Sequence, residues 1–491
     1  MSLVANSYRK KLRTSLSNIE RVQRERLAEI ISNLQQTLQW KALNGKSYEE
    51  LGTLVPLANY SFYSKKVSDQ KASGQTILSS DIVRYEPTSG STEERKWIPY
   101  SSKFLTEINR AAMAWIGDVY HQFPRIKNGT HYWSLSWLPN DLRGLTTTDD
   151  VELFPWWHRW FIRPTMAVDP RIAKVANPEA AWWATLVCLA SKKDLTLVSV
   201  WSPTFWLKVC ADIEANADDI QRALSEGNWI RFENDLAQTI GKTPKRNFKF
   251  DQQKVDFKSL WPNLKLISAW DSSSSSTWAK QLKTLFPSAI FQGKGLWATE
   301  GVVTIPFEDK KVLAINSHFF EFIDLESEEI LPAWKVELGR EYKPVLWTST
   351  GLLRYVLEDR VRVTGWLEKT PCFEFLGRIQ SVDLVGEKIY APWVQLLFET
   401  RPEWRGICLI ACHKPTPHYV LVHQGGQNIN VEDELRRLHH YDLARQLGQL
   451  GPSQTLKVKD VFELLKKTGT QKILGQNKVE VLIEVDQLYE L

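Results

Sequence analysis

Apolar residues at three- and four-residue spacing mark the first long element. Ile19, Val22, Leu27, Ile30, Ile31, Leu34 and Leu38 fall on one helical stripe, which predicts an amphipathic helix over 19–43. Asn44-Gly45 supplies its stop, since both residues tolerate the left-handed turn that ends a helix. A second short helix is expected at 48–54. Near 77–85 the pattern becomes strand-like, and the turn-forming run Pro87-Thr88-Ser89-Gly90-Ser91-Thr92 follows.

The middle of the chain alternates. Residues 195–200 (LTLVSV) form a continuous apolar run, the mark of a strand buried on both faces. A helix is predicted over 204–225, a strand over 264–269, then Asp271 and five serines at 272–276. A helix over 277–286 and a strand at 289–291 complete the unit. Strand, helix, strand in this order predicts α/β layering. From 312 the texture is β-rich, with short strands predicted at 312–315, 319–322, 344–348, 352–356 and 361–364. The tail reads as a small α+β unit, with strands at 406–411, 419–423 and 480–485 and helices at 431–447 and 458–467. No internal repeat is visible.

The chain has 491 residues, of which 43% are hydrophobic and 24% charged. That length admits two to four domains at roughly 100–200 residues each, and the composition excludes an intrinsically disordered chain. No apolar run approaches the ~18 residues of a membrane span, and the first residues lack a secretory leader's apolar core. The net charge is +5. All of that excess lies within residues 1–26, where Arg9, Lys10, Lys11, Arg13, Arg21, Arg24 and Arg26 face only Glu20 and Glu25. Such an arm can bind a polyanion, but it is more commonly a solvated helix face. The neutral remainder argues against a nucleic-acid or membrane partner. Five cysteines without a framework spacing suit a reducing cytoplasm. The compositional oddity is 22 Trp against 3 Met. Tryptophan fills cores, but it also builds flat apolar pockets with a polar edge.

Several segments carry candidate chemistry. Thr88-Ser89-Gly90-Ser91-Thr92-Glu93-Glu94-Arg95-Lys96 offers backbone N–H groups around a glycine, four hydroxyls and a lysine. This is the equipment of a phosphate loop, although not the Walker spacing. Taken alone, such a turn is common. Further on come Trp261-Pro262-Asn263-Leu264-Lys265, Leu296-Trp297-Ala298-Thr299-Glu300-Gly301 and Gly351-Leu352-Leu353-Arg354-Tyr355-Val356-Leu357-Glu358-Asp359. Phe373-Glu374-Phe375-Leu376-Gly377-Arg378, Val385-Gly386-Glu387-Lys388, Thr416-Pro417-His418-Tyr419-Val420-Leu421 and Gly475-Gln476-Asn477-Lys478 follow. Neither a nucleophile elbow nor a Rossmann glycine motif occurs. Cys408, Cys412, His413 and His418 have a metal-like spacing, but the cysteines sit on a predicted apolar strand and read as core. His439-His440 with Asp442 lacks the spacing of a condensation-type base and falls on an exposed helix.

In this order the segments resemble the adenylate-forming superfamily. Within it they resemble the Gretchen Hagen family of auxin-responsive acyl-acid amido synthetases, in a bacterial-type version, over roughly residues 20–485. The resemblance implies an α/β fold, with a large N-terminal adenylate-forming domain (a β-barrel plus α/β layers) at 1–377 and a mobile α+β cap at 378–491. It implies ATP and Mg2+ as cofactors. Thr88, Ser89, Gly90, Ser91, Thr92 and Lys96 would meet the phosphates, and Glu300 would hold the metal. Ser273, Ser274, Trp297, Thr299, Asp359 and Arg378 would surround adenine and ribose. Trp133, Ser134, Trp201 and Phe205, with Tyr132 beside them, would line the acyl pocket. Lys478 would be the lysine that approaches the reacting carboxylate. Five positions depart from the pattern: Glu93 and Glu358 stand where glycines are expected, Leu296 replaces a tyrosine, and Val479-Glu480 replaces Pro-Arg. The implied protein is a cytoplasmic, monomeric ligase that adenylates a carboxylic acid, aromatic or planar to suit the tryptophans, and passes the acyl group to an amine such as an amino acid. A thioester-forming relative and a degenerate nucleotide-binding homologue are the alternatives.

Overall fold

The computed structural model describes residues 2–87, 96–133, 165–250, 255–272, 275–378, 381–382, 384, 387, 389–414, 416–426, 429–446, 448, 450–458 and 480–485. The chain opens with a helix that the apolar pattern did not predict, Ser2–Ser15, in which only Ala5 and Leu12 are buried. Two apolar positions are too few to set a period. The helix exists because it packs on the long helix Ser102–Gln122. A Cβ on Gly117 would lie 2.2 Å from the Ala5 carbonyl oxygen, so glycine permits this close approach. The arginines of the basic arm enter ion pairs within the chain. Arg9 meets buried Asp118 at 3.1 Å, Arg13 meets Glu368 at 2.8 Å, and Arg24 meets Glu20 at 3.0 Å.

The helix expected over 19–43 begins at Ile19 but stops at Asn33. Beyond it, the Leu38 and Gln39 N–H groups donate to the carbonyls of Thr76 and Ile77 at 3.0 and 3.1 Å. A distant segment thus captures backbone that the local pattern assigned to the helix, and Leu38 is left 58% exposed.

The α/β layer is a four-stranded parallel sheet in the order Thr130–Trp133, Leu195–Ser199, Leu266–Ala269, Ile290–Gly293. The first three strands are buried at every position, as the continuous apolar run at 195–200 predicts for the second; the first, Thr-His-Tyr-Trp, carries no such run. The connections include helices Pro178–Ser191, Pro203–Ala215, Ala217–Glu226 and Ser276–Leu285. The single helix expected over 204–225 is two. Asn216 breaks it, turning its side-chain amide back onto the Asp212 carbonyl at 2.8 Å.

The β-rich stretch forms an eight-stranded antiparallel sheet. Its main path runs Ile330–Pro332, Phe319–Asp324, Glu341–Trp347, Asp359–Leu367, Thr370–Arg378, Lys310–Leu313, Thr304–Phe307, with Tyr355–Val356 attached to Glu341–Trp347. This sheet stands where a barrel was expected, and among the described residues its hydrogen-bonded path runs from Ile330–Pro332 to Thr304–Phe307. The strand predicted at 352–356 shrinks to two residues, because 348–354 form a tight bracket described below.

One hydrophobic core runs from Ala5 to Phe373, joining both sheets and the N-terminal helices. The smaller C-terminal sheet has the order Gln454–Lys457, His418–His423, Gly406–Cys412, Leu482–Val485 and buries both faces. Leu409, Ala411, Tyr419 and Leu421 fill one face, and Cys408, Ile410, Cys412, Val420 and Val422 fill the other, the period-2 alternation of a central strand pair. The cysteines are therefore core, and burial pushes the Cys408 thiol up to about 12. The helix expected over 431–447 divides into Val431–Leu435 and His439–Gln446. Most of that expected at 458–467 lies outside the described residues. Among the described residues no helix is long and apolar enough to cross a membrane.

Candidate active site

Ligands of α/β sheets gather at the C-terminal ends of parallel strands, where loops diverge. Here those ends open into a cleft of about 480 Å³, counting the space at its mouth. Trp133 ends the first strand, Ser199 ends the second, and Lys294 follows the fourth; all three line the cleft. Trp201 and Trp297 close it, and the helix Ser102–Gln122 contributes Trp115. Trp115 meets Trp133 edge-on at 5.8 Å, and Trp201 and Trp297 are 5.8 Å apart at 57°. Four indoles thus form an aromatic box. Trp133 and Trp201 were expected there from the sequence; Trp115 and Lys294 were not, because nothing local distinguishes them.

Trp297, expected beside adenine from the sequence, lines this cleft, and its neighbour Leu296 does not. Leu296 packs on the main core. Phe205 does not line the cleft. The helix beginning at Pro203 turns it inward, parallel to Tyr132 at 6.3 Å and edge-on to Trp182 at 5.6 Å. Trp201→Ala is expected to shift relative KM among carboxylic acids by roughly tenfold while KM for ATP stays within about twofold, because it removes one wall of the box. Steady-state kinetics with an acid panel checks this, and equal losses for acid and ATP would identify Trp201 as core.

Beside the cleft, Thr299 and Glu300 form the turn between the short strands Trp297–Ala298 and Gly301–Val302. Three buried groups hold this turn. The Tyr100 hydroxyl donates to the Thr299 carbonyl at 2.9 Å. Burial pushes Tyr100 well above its ordinary value, with the charges of Glu86 and Glu300 adding to the effect, so it remains a donor. The Val302 N–H donates to His318 Nε2 at 3.1 Å, which places the ring proton on Nδ1, donated to Glu107 at 2.9 Å. The Tyr355 hydroxyl donates to Glu300 Oε1 at 3.1 Å.

Tyr355 belongs to the Gly351–Asp359 motif, and the surrounding contacts explain that motif's residue types. Gly351 has φ +81°, and a Cβ there would lie 2.0 Å from the Leu78 carbonyl oxygen. Arg354 also has a positive φ and forms a two-pronged pair with Glu321 at 2.9 and 3.2 Å, where Tyr48 and Trp347 also donate. The Leu353 carbonyl accepts from Tyr63. Asp359 begins the next strand, 4% exposed, with the Arg378 backbone directly opposite. Glu358, standing for the expected glycine, lies outside the left-handed region. Its exposed side chain meets Lys343 at 3.2 Å, so no glycine is needed here.

The phosphate-loop candidate joins two paired strands, Ile82–Pro87 and Trp97–Ser101, with Pro87 opposite Trp97. Tyr60 clamps the second strand by accepting from the Trp97 N–H at 2.7 Å. Lys96, half-buried, is described, with its ammonium 6.0 Å from the Tyr60 ring centre. Thr88, Ser89, Gly90, Ser91, Thr92 and Glu93 lie outside the described residues, as do Ser134, Ser273, Ser274, Lys478 and the Arg378 side chain. Among the described residues no group of three or more His, Cys, Asp or Glu gathers as a metal cluster.

Comparison with known proteins follows this geometry. The family model described as GH3 family N-terminal domain matches residues 8–290, and that described as GH3 family central domain matches 311–378. A probable indole-3-acetic acid-amido synthetase, GH3.9 of Oryza sativa subsp. japonica, is 27% identical over 198 residues, covering 36% of this chain and 43% of the relative. The indole-3-acetic acid-amido synthetase GH3.10 of Arabidopsis thaliana is 30% identical over 141 residues, covering 24% of each chain. These matches span less than half of the curated relatives' lengths. Among solved structures, the GH3.15 acyl acid amido synthetase superposes with a TM-score of 0.76 over 96% of this chain and 92% of that one, at 17% identity, a likeness of fold.

Proposed function

The chain belongs to the GH3 family, and from that premise we propose that it is an acyl-acid amido synthetase. It uses ATP to convert a carboxylic acid to an acyl-adenylate and passes the acyl group to an amine, an amino acid in the first instance. The observation that carries this reading is the hydrogen bond between Tyr355 and Glu300, across 55 residues of sequence. It ties the carboxylate of one motif to the segment that ends in Asp359, beside a tryptophan-lined cleft.

In the first step an acid carboxylate oxygen attacks the α-phosphorus of ATP and pyrophosphate leaves. In the second, the amine nitrogen attacks the acyl carbon, loses a proton, and AMP leaves. The box of Trp115, Trp133, Trp201 and Trp297 holds a planar or aromatic acid by apolar contact. Asp359, an acceptor-only carboxylate, suits the two ribose hydroxyls. Lys96 and the loop Thr88–Thr92 receive the phosphates, and Lys478 approaches the reacting carboxylate. Glu300 offers one half-buried oxygen ligand, which suits Mg2+, a cation that keeps several waters and phosphate oxygens. Bound there, Mg2+ offsets the phosphate charge. Residues 378–491 serve as a cap that rotates about Arg378 relative to the body 1–377 and excludes water from the adenylate.

Acid-dependent exchange of pyrophosphate into ATP tests the first step across a broad acid panel, and an amine panel with product analysis tests the second. No exchange with any acid would sink the reading in favour of a non-catalytic nucleotide-binding protein. A thioester product without an amide would reassign the second step.

A further inference from the structure

Glu107 and His318 are buried, 2% and 0% exposed, and neither belongs to a motif legible in the sequence. They form a pair. His318 Nδ1–H donates to Glu107 Oε2 at 2.9 Å, and the Phe104 ring, stacked on His318 at 5.7 Å, fixes the plane of the imidazole. Each member also holds backbone. His318 Nε2 accepts from the Val302 N–H at 3.1 Å, just after the Thr299–Glu300 turn. The Glu107 carboxylate accepts from the Ser349 N–H at 3.2 and 3.3 Å, at the start of the 348–354 bracket that leads into Tyr355. Ser349 is held from its other side as well. Its carbonyl accepts from the Ser101 hydroxyl at 2.9 Å and from the Ser79 hydroxyl at 2.8 Å. Ser101 ends the strand Trp97–Ser101 that leaves the phosphate-loop candidate.

Three segments far apart in sequence therefore meet at one junction: the hairpin that carries the phosphate loop, the turn that carries Glu300, and the bracket that leads through Tyr355 to Asp359. A buried carboxylate and imidazole are a costly filling for this space, since apolar side chains of similar volume commonly give equal or greater stability. What the pair supplies is direction. A carboxylate accepts from Ser349 and His318 at once, and an imidazole with one donor and one acceptor nitrogen carries that constraint on to Val302. A buried network with its members satisfied is rigid. Neither side chain lines the cleft, so neither is a catalytic residue. We propose that Glu107 and His318 are positioning residues: together they fix the Glu300 turn against the phosphate hairpin and the Tyr355 bracket, so that Glu300 and Asp359 meet one bound nucleotide at a set separation. The proposal rests on the adenylating reading for its effect on rate, but not for its effect on the turn.

Two substitutions of His318 in the full chain separate direction from stability. Asparagine sets its amide nitrogen near the place of Nδ1 and can still donate to Glu107, but it is too short to accept from Val302. Glutamine sets its amide oxygen near the place of Nε2 and can still accept from Val302, but it gives up Glu107. His318→Asn is expected to lower kcat for acid-dependent pyrophosphate exchange by about tenfold or more, the scale of a misplaced group, with KM for ATP within about threefold. Amides of 297–304 should lose protection from hydrogen exchange in that variant. His318→Gln should keep kcat within about threefold of the wild type even if its urea midpoint is the lower of the two. A merely structural pair makes kcat follow the midpoint in both variants; that result, or a wild-type kcat in His318→Asn, would overturn the proposal. In the wild-type chain the Val302 and Ser349 amides should be protected as well as those of the core strand Phe319–Asp324, and exchange as fast as in exposed turns would also overturn it. Should His318→Asn fail to fold, the double variant Glu107→Leu with His318→Leu takes its place, because it leaves neither partner buried alone. The same fall in kcat is expected there, and a wild-type kcat would count against the proposal. Hydrogen exchange needs no substrate. Lost protection in His318→Asn without pyrophosphate exchange in the wild type would therefore sink the ligase reading alone, and pyrophosphate exchange with kcat following stability in both variants would sink this proposal alone.

Discussion

Glu300→Gln is expected to lower acid-dependent pyrophosphate exchange by at least about a hundredfold while leaving the fold intact. The scale is that of removing one preorganised electrostatic group from a phosphoryl-transfer site. Glu300 is half-buried at a turn, and its substitution by an isosteric amide empties no core space. The Tyr355 hydroxyl can still donate to the amide oxygen, so the 3.1 Å contact is kept and only the charge is lost. That separates charge from shape. Raising the Mg2+ concentration should recover part of the activity if the carboxylate holds the cation. Tyr355→Phe should lower activity less, because the carboxylate remains but is no longer aimed. Exchange assays at several Mg2+ concentrations, with circular dichroism as the control for folding, decide the matter. Full exchange activity in Glu300→Gln would remove Glu300 from the proposed site.

Arg354→Met is expected to destabilise the large domain by about 3–5 kcal/mol, the usual consequence of leaving one buried charge without its partner. The Glu321 side chain is 1% exposed and receives two hydrogen bonds from Arg354. With the guanidinium gone, Tyr48 at 3.0 Å and Trp347 at 2.8 Å remain as donors but carry no charge. Arg354 also donates to the Val55 carbonyl at 3.0 Å, so the bracket loses one of its ties to the N-terminal helices as well. The midpoint of urea unfolding, followed by tryptophan fluorescence, reports the effect. Replacing both partners, Arg354→Met with Glu321→Leu, should recover most of the loss, since the penalty lies in the unpaired charge rather than in a missing contact. An unshifted midpoint in the single variant would show that solvent reaches Glu321 freely.

The two predictions concern one motif from opposite sides. In Gly351-Leu352-Leu353-Arg354-Tyr355, the glycine and the arginine hold a bracket in shape, and the tyrosine carries that shape to Glu300. Sequence reasoning singled out the motif for Asp359 at its end. The roles of Arg354 and Tyr355 were hidden because their partners, Glu321 and Glu300, lie 33 and 55 residues away.

What the sequence determined by itself follows from local periodicity and residue chemistry. The apolar run of the strand at 195–200, the strands at 406–411 and 419–423, and the order of the motifs were all legible. Each is set by neighbours a few residues apart. What only the tertiary structure decided has no local period. Helix Ser2–Ser15 exists through its contact with a helix a hundred residues on. Helix Ile19–Asn33 ends early because Thr76 and Ile77 capture its continuation. Trp297 joins Trp133 and Trp201 in one box because strands far apart in sequence end at one edge of the sheet. Lys294 is unremarkable as a residue after a short strand, and only folding encloses its ammonium between two indoles. A charge acquires meaning from what surrounds it in space, and the chain's one-dimensional order does not carry that distance.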